Sequence, residues 1–226
     1  MEHRIAIISD THSLLRPEIK EILQSCEVIL HSGDIASQKT VEEIKSITTT
    51  YFVKGNADKN VEEDIPEQLE IALYGFHFYM VHNKKYRKEN LNEVDIFIYG
   101  HSHKYEEIKK GGTLYLNPGS CGPRRFRQPI TMAVMTIEDE THSYWIEKID
   151  CSSGVKEVAE PKISEKDMDK LIKAIVKDMN MGRDVETIAK RNQVEVEFVN
   201  QILQIYTTHP GIDVDGILNR MDIWRK

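Results

Sequence analysis

Strand-type and helix-type segments alternate through the first 54 residues, and this alternation restricts the fold more than any other feature. Three short apolar runs have the composition of buried strands, and two amphipathic segments between them have helical spacing. The predicted segments are strands Arg4–Ser9, Glu27–His31 and Thr49–Lys54 and helices Leu14–Ser25 and Lys39–Ile47. A β-α-β-α-β order predicts a parallel sheet with helices on its faces.

The pattern changes to hairpins after residue 60. Paired apolar runs flank Tyr74-Gly75, Gly111-Gly112 and an acidic turn near residue 140, and Gly-Gly between two such runs is a strong hairpin signal. The predicted strands are Gln68–Leu73, Phe76–His82, Val94–Gly100, Tyr105–Lys110, Thr113–Asn117, Ile130–Ile137 and His142–Ile149. We therefore predict an α/β domain over residues 1–160, with two stacked sheets and helices outside.

The periodicity becomes purely helical beyond Pro161. Apolar residues from Met168 to Met179 recur at intervals of three and four, with Ser164 placed as the N-cap and Gly182 as the stop. Three further helices are predicted, over Asp184–Arg191, Glu195–Tyr206 and Asp213–Met221. Residues 161–226 are thus expected to form a small all-α module.

Two of these helices resemble a helix-turn-helix. A DNA-reading helix normally offers Arg or Lys to the groove and the phosphates. Glu195–Tyr206 contains neither and begins with acidic residues, so we do not expect it to read DNA. A homo-oligomer contact or a lid is the favoured role, and its candidate contact residues are Ile202, Leu203, Ile205 and Trp224.

Composition excludes several classes of protein. The net charge of −7 disfavours binding to long nucleic acid, which usually requires a basic surface. No apolar stretch approaches the roughly 20 residues of a membrane-spanning helix, and no secretory signal follows Met1. The three cysteines are far apart and lack metal-type spacing. We therefore expect a cytoplasmic protein with reduced thiols that does not associate with membranes.

Metal-ligating residue types follow five of the predicted strands. They are Asp10 and His12, Asp34, Asn56, His82, and His101 and His103. The carboxyl ends of strands in an open α/β sheet converge on one crevice, where ligands bind. Each residue alone has an ordinary explanation as a cap, a turn former or a buried histidine. Their coincidence at strand ends favours a shared metal site.

The donor set indicates which metals suit the site. Two carboxylates, one amide oxygen and four imidazoles are too many donors for one tetrahedral zinc. They suit two divalent ions with mixed nitrogen and oxygen ligands. Such a pair, about 4 Å apart, can activate a bridging water and stabilise an in-line displacement at phosphorus. We predict two divalent ions, with Mn²⁺ favoured and Ni²⁺, Co²⁺, Fe²⁺ or Zn²⁺ as alternatives.

The order of these blocks resembles the calcineurin-like metallophosphoesterase superfamily. Asp-x-His, Gly-Asp, Gly-Asn, His and Gly-His-x-His occur in that order within residues 4–150, and the turn Asn117–Ser120 resembles the small prokaryotic phosphodiesterase branch. The resemblance implies a four-layer α/β/β/α sandwich. It also implies that Asp34 bridges two metals, one held by Asp10, His12 and His103 and the other by Asn56, His82 and His101. The candidate catalytic residues are Asp34, Asn56 and His82.

The chain departs from its relatives beside two of the motifs. Many members have a histidine after Gly-Asn that is thought to protonate the leaving group, whereas here Ala57 and Asp58 follow Asn56. Asp58 is interpreted as an exposed turn residue, with a general acid as the alternative. After His82 the usual glycine is replaced by Asn83, followed by basic residues.

Basic residues near the motifs are candidates for phosphate binding, because an arginine fork suits a phosphoryl group. The candidate substrate-binding residues are Arg124, Arg125 and Arg127. A second basic cluster over residues 84–88 is interpreted as a solvated loop.

Two functions remain open. The first is hydrolysis of a small phosphoester, a nucleotide included, by a phosphodiesterase or a phosphatase. The second is a non-catalytic scaffold, since one eukaryotic member of the superfamily serves as a retromer subunit with an altered metal site. The complete set of seven donors favours hydrolysis.

Overall fold

The computed structural model describes residues 1–124, 128–153, 165–209 and 211–221. Contacts divide the chain into two compact units. The sheet unit comprises Met1–Pro123 and Pro129–Ser153, and the helical unit comprises Arg124–Gln128 and Gly154–Lys226. The predicted boundary between residues 160 and 161 and the predicted N-cap Ser164 lie outside the described residues, so both stay predictions.

The described part of the sheet unit has ten strands and two α-helices. In chain order they are β1 (Glu2–Ile8), α1 (Pro17–Gln24), β2 (Val28–His31), α2 (Gln38–Lys45), β3 (Thr49–Phe52), β4 (Gln68–Leu73), β5 (Phe76–Val81), β6 (Ile96–Ile98), β7 (Tyr105–Lys110), β8 (Thr113–Pro118), β9 (Thr131–Glu138) and β10 (Ser143–Asp150). Helix α1 begins at Pro17 rather than at Leu14, because Ser13 has a φ of 65° and the Leu14 N–H donates to the carbonyl of Thr11. That tight turn occupies the residues where the helix was predicted to start.

The strands form two mixed sheets. The first has the order β10-β9-β1-β2-β3, with β1, β2 and β3 parallel and β9 antiparallel to both of its neighbours, β1 and β10. The second has the order β4-β5-β6-β8-β7, with β5, β6 and β8 parallel and both edge strands antiparallel. In each sheet, three parallel strands therefore have their carboxyl ends at the same edge.

The main core lies between the two sheets. Alternate residues of their facing strands are buried there, among them Ile5, Leu30, Phe78, Ile98 and Met135. A second cluster lies on the outer side of the second sheet, where Tyr79, Phe97 and Tyr99 pack with Leu91. Leu91 belongs to the segment 83–95, which carries a 3₁₀ turn at Lys84–Tyr86. The predicted α/β class with two stacked mixed sheets is confirmed.

The helical unit contains α3 (Glu165–Asn180), α4 (Val185–Asn192), α5 (Val196–Thr208) and α6 (Val214–Met221). Asp184 caps α4 by accepting a hydrogen bond from the Thr187 N–H. Ile202 and Ile205 are fully buried among Ile172, Phe198 and other side chains of this unit. Their prediction as contacts to a second surface is therefore wrong, because they form the unit's own core. Leu203 is partly buried, and Trp224 lies outside the described residues.

None of the helices within the described ranges is long and apolar enough to cross a membrane.

Candidate metal centre

The seven predicted donor residues come together in the sheet unit. Three loops that follow β1, β2 and β3 supply Asp10 and His12, Asp34, and Asn56. Loops after β5 and β6, in the other sheet, supply His82, and His101 and His103. Both sheets therefore deliver donors from the carboxyl ends of parallel strands, as the sequence predicts. Asp10 and Asp34 are fully buried, and His12, His82 and His103 are nearly so.

Asp10, His12 and His103 form the first group of donors. The His103 Nε2 atom lies 3.1 Å from the Asp10 Oδ1 atom and 3.4 Å from the His12 Nε2 atom. The His12 Nε2 atom is 3.8 Å from the same carboxylate oxygen. One ligand atom from each residue thus lies within 4.8 Å of the others, a spacing that suits a single ion.

His82, His101 and Asn56 form the second group. The His101 Nδ1 atom lies 3.0 Å from the Asn56 Oδ1 atom and 3.3 Å from the His82 Nε2 atom. The other ring nitrogen of His82, Nδ1, is 2.8 Å from the carbonyl oxygen of Ser32. Because that carbonyl can only accept, Nδ1 carries a proton, and Nε2 is the nitrogen directed into the site.

Asp34 lies between the two groups and presents one carboxylate oxygen to each. Its Oδ1 atom is 3.4 Å from the His82 Nε2 atom. Its Oδ2 atom is 3.8 Å from the His12 Nε2 atom. Asp34 also belongs to a compact set of ligand atoms with Asp10 and His82. This placement is the one expected of a carboxylate shared by two ions.

The two carboxylates have buried oxygens that divalent ions could satisfy better than the surrounding protein groups do. Asp10 Oδ1 and Asp34 Oδ2 are both buried, and neither accepts a hydrogen bond of acceptable geometry from the described residues. The nearest groups are imidazole nitrogens, His103 Nε2 at 3.1 Å from Asp10 Oδ1 and His12 Nε2 at 3.8 Å from Asp34 Oδ2. A buried carboxylate oxygen is costly unless a charge or a well-aligned donor compensates it. The surrounding imidazoles and the Asn56 amide offer further lone pairs, which a divalent ion would also engage.

The electrostatics of the site favour negatively charged carboxylates. Burial acts to raise the pKa of Asp10, but His103, His82 and His12 outweigh it and hold that pKa well below its usual value. Burial likewise acts to lower the pKa of His82, and Asp34 overcomes it and raises that pKa to about 9. The protonated imidazole compensates the carboxylates here, so metal ions would compete with protons for this site.

Five of the seven donors have left-handed backbone conformations. Their φ angles are 55° for Asp10, 43° for His12, 58° for Asp34, 67° for His101 and 59° for His103. Asp and His tolerate this region better than most residues, but each instance costs of order 1 kcal/mol or more. Strain of this kind, concentrated at one place, is typical of a functional site.

A set of uncharged groups holds the donors in position. Ser9 Oγ donates to Asp10 Oδ2 at 2.5 Å, and the backbone N–H of His101 donates to the same oxygen at 3.1 Å. Asn117, the first residue of the turn that resembles the small prokaryotic branch, donates from Nδ2 to the carbonyl of Gly100 at 2.8 Å. These bonds orient side chains and loops that carry the candidate ligands.

His31 is a supporting residue that the sequence interpretation missed. The Gly33 N–H donates to its Nδ1 atom at 3.1 Å, so Nε2 carries the proton and faces Thr11 Oγ1 at 3.0 Å. Burial lowers the pKa of His31 to about 4, which keeps the ring neutral. The available signal was its position three residues before Asp34, at the end of a buried strand.

Asp58 differs from its predicted environment. It is fully buried rather than an exposed turn residue, and its carboxylate accepts hydrogen bonds from backbone N–H groups of two motif loops. Burial raises its pKa, and the N–H groups of Ala36 and Gly55 oppose that shift. The carboxylate is used within the protein to join loops.

Of the predicted substrate-binding arginines, Arg124 alone lies in the described part of the chain. Arg124 groups with the helical unit, where its backbone carbonyl accepts a hydrogen bond from Gln201 Nε2 at 3.2 Å. Arg125 and Arg127 lie outside the described residues. In the other basic cluster, Lys84 pairs with Glu106 at 2.7 Å and Lys88 with Glu70 at 2.6 Å, as expected of a solvated loop. A role of these arginines in substrate binding stays a prediction.

Comparison with protein families gives one match that covers most of the sheet unit. The profile of the calcineurin-like phosphoesterase superfamily domain matches residues 3–140. A probable metallophosphoesterase of Methanothermobacter thermautotrophicus is 26% identical over 150 residues, which are 60% of this chain and 87% of that protein. A phosphodiesterase of Methanocaldococcus jannaschii is 26% identical over 145 residues, covering 52% of this chain and 84% of that protein.

Solved structures show the same fold. Vacuolar protein sorting 29 of Cryptosporidium parvum superposes with a TM-score of 0.53 at 20% identity, covering 66% of this chain and 98% of that one. The matched 66% of this chain is about the size of the sheet unit. The residues beyond 140 lie outside the family match, and α3–α6 are an addition to it.

Proposed function

Because the chain belongs to the calcineurin-like phosphoesterase superfamily, we propose that it hydrolyses phosphoester bonds of small organic phosphates, nucleotides included, with two divalent ions. The observation that carries this proposal is the position of Asp34. One of its oxygens faces His82, and the other faces His12, so a single carboxylate lies between two groups of donors. Two such groups are what a two-ion phosphoesterase requires.

Two ions in these groups would supply Lewis acidity and a nucleophile at neutral pH. Asp10, His12 and His103 would hold one, and Asn56, His82 and His101 the other. Asp34 would contact both and set their separation. The buried carboxylates would offset part of the added positive charge, which leaves a net attraction for the phosphoryl oxygens.

Manganese is the ion we propose first. The donors are four imidazole nitrogens with carboxylate and amide oxygens and no thiolate, a mixture that Mn²⁺, Fe²⁺, Co²⁺, Ni²⁺ and Zn²⁺ accept. Ca²⁺ prefers six to eight oxygen ligands and should serve poorly.

Phosphodiesters are the first substrates to test, because one of the relatives is named a phosphodiesterase. Arg124, Arg125 and Arg127 remain the proposed contacts to the substrate phosphate. A scaffold role, proposed from the same resemblance, is less well supported. The site buries two carboxylates and three imidazoles, and five of its seven donors have left-handed backbone conformations. This arrangement is costly unless the donors bind ions, and a scaffold would gain nothing from that cost.

The experiment is hydrolysis of bis(4-nitrophenyl) phosphate by chelated protein to which single divalent ions are returned. We expect activity to disappear on chelation and to return with Mn²⁺, Ni²⁺ or Co²⁺ better than with Ca²⁺. Asp34→Asn keeps the side-chain shape, so it should lose turnover while its circular dichroism spectrum stays unchanged. The matched control is Asp64→Asn, which removes an equal charge from an exposed position outside the donor groups. Equal activity of Asp34→Asn and Asp64→Asn would refute the proposal.

A further inference from the structure

We propose that Asp58 is a positioning residue, which locks the Gly33-Asp34 loop to the Gly55-Asn56 loop and so sets the separation of their metal donors. The inference rests on the proposed function, since it concerns the same centre. Asp58 is not one of the seven donors, and it lies in the segment where related enzymes carry a candidate acid.

The geometry of this carboxylate is that of a clamp. Its Oδ2 atom accepts the N–H of Asp34 at 3.0 Å and the N–H of Gly55 at 2.7 Å. Its Oδ1 atom accepts the N–H of Ala36 at 2.7 Å. The acceptor is therefore shared by residues 34 and 36 on one side and residue 55 on the other. Bonds from N–H groups to a carboxylate are among the stronger hydrogen bonds in proteins.

A reciprocal bond closes the arrangement. The Ala57 N–H donates to the Asp34 Oδ1 atom at 2.8 Å. The Asp58 carboxylate thus binds the backbone of Asp34, and the Ala57 N–H binds the side chain of Asp34. The two loops also touch directly, because a β-carbon at Gly55 would lie 2.2 Å from the backbone nitrogen of Asp34. Movement of either loop would change the distance between Asp34 and Asn56.

The backbone explains why a clamp is needed here. Asp34 and Ala36 have φ angles of 58° and 71°, a conformation that a non-glycine chain leaves readily unless it is held. This shape turns their N–H groups toward a common acceptor. A fully buried carboxylate at that point satisfies three N–H groups at once, which no neutral side chain could do.

The same bonds argue against Asp58 as the general acid. Each carboxylate oxygen already faces at least one N–H donor. A proton on Oδ2 would be placed against the two N–H groups that this oxygen accepts, and a proton on Oδ1 would weaken the bond to the Ala36 N–H. Proton transfer would therefore weaken the bonds between the loops, and the geometry favours positioning.

The test compares Asp58→Asn with wild type and with the exposed-charge control Asp64→Asn. The asparagine is isosteric, but its amide group would face an N–H donor and break at least one bond of the clamp. We expect metal affinity, measured by competition with a fluorescent chelator, to fall about 10- to 100-fold in Asp58→Asn. Asp64→Asn should bind metal as wild type does. At saturating metal, Asp58→Asn should recover most of its turnover with an unchanged dependence on leaving-group pKa.

Hydrogen exchange gives a second measurement that needs neither metal nor a stable variant. In wild-type protein the amides of Asp34, Ala36 and Gly55 should exchange slowly, as clamped groups do. Rapid exchange of these amides, or a metal affinity of Asp58→Asn equal to that of wild type, would overturn the inference. If wild type itself took up no metal, the proposed function would fail, and the exchange result would still decide whether the clamp exists.

Discussion

Gly33 packs directly against the imidazole of His82. A β-carbon built on Gly33 would lie 2.7 Å from the Nδ1 atom of that ring and 2.9 Å from its Cβ and Cγ atoms. The glycine of the Gly-Asp motif is therefore required by contact with a candidate ligand from the other sheet. Its φ of 97° adds a second requirement, because residues with a β-carbon rarely adopt it.

The first prediction concerns Gly33→Ala. The added methyl group should push His82 out of place and break its bond to the Ser32 carbonyl. We expect a loss of about 1–3 kcal/mol in the free energy of unfolding, together with weaker metal binding. Gly112→Ala is the matched control, because Gly112 has a similar φ of 91° but nothing within 4 Å of the new carbon. A control that loses as much metal affinity as Gly33→Ala would show that contact with His82 is not the cause.

The second prediction concerns the leaving group. Ala57 stands where many related enzymes carry the acid histidine, and Asp58 is occupied by backbone N–H groups. A positioned general acid is usually worth about 10²–10⁴ in rate. Without one, kcat should depend steeply on the pKa of the leaving group, and nitrophenyl diesters should react at least ~10² faster than alkyl ones.

A series of substituted aryl phosphodiesters measures this dependence. Asp58→Asn should show the same slope as wild type when both are saturated with metal. A shallow slope in wild type that becomes steep in Asp58→Asn would instead identify Asp58 as the acid.

The third prediction separates the helical unit from the chemistry. Truncation after Ala159 removes α3–α6 and keeps all seven donors. The remaining chain should bind metal and hydrolyse a small aryl diester, because the sheet unit has its own core between its two sheets. We expect the oligomeric state or the preference among natural substrates to change. A truncated protein that is soluble and loaded with metal, but inactive toward every ester, would show that the helices supply a catalytic part.

The fourth prediction concerns His3, which lies at the start of β1, whereas Asp10 follows the end of that strand. His3 stacks on Tyr74, and its ring nitrogens lie 2.9 Å from Glu27 Oε2 and 3.0 Å from Asp139 Oδ2. The bond to Glu27 raises the pKa of His3 above its ordinary value of 6.5, although partial desolvation opposes this shift. The same contact lowers the pKa of Glu27 from 4.5.

The sign of the pH dependence follows from these shifts. Because the pKa of His3 is higher in the folded chain, its contribution to stability is complete below the unfolded pKa of 6.5 and is lost as the pH rises through the folded value. Glu27 contributes above its unfolded pKa of 4.5 and ceases to do so at lower pH. The difference in free energy of unfolding between wild type and His3→Gln should therefore be larger near pH ~6 than near pH ~9.

Urea unfolding at the two pH values measures this difference. His77→Gln serves as the control, since the ring of His77 faces the carbonyl of Glu93 rather than a carboxylate. An equal effect of His3→Gln at both pH values would mean that its contact with Glu27 and Asp139 is not ionic.

Periodicity and turn residues were sufficient to predict most of the fold. The strands and helices lie within a few residues of their predicted bounds, because apolar spacing and glycine-containing turns are local signals. The order of strands within each sheet is not a local property, and the sequence did not predict it. The α1 start was misplaced because the turn at Ser13 depends on backbone bonds around the Asp10–His12 loop.

The clustering of the seven candidate donors could be predicted, but the residues that hold them in position could not. Carboxylates and imidazoles after strands form a recognisable pattern, whereas Asp58 and His31 look like ordinary turn and strand residues in the sequence. Their roles arise from bonds between loops that are 20 to 24 residues apart. The same limit applies to Ile202 and Ile205, whose apolar character predicted a buried contact but not whether it lies inside the unit or against a partner.

We propose that Asp34 joins two metal ions at which a phosphoester is hydrolysed. Titration of chelated wild-type protein with Mn²⁺ tests this, with bound metal and the rate of bis(4-nitrophenyl) phosphate hydrolysis followed in the same samples. We predict two bound ions per chain and a rate that rises only as the second ion binds. Full activity in protein verified to be metal-free, or full activity with a single ion per chain, would show that Asp34 does not join two catalytic ions.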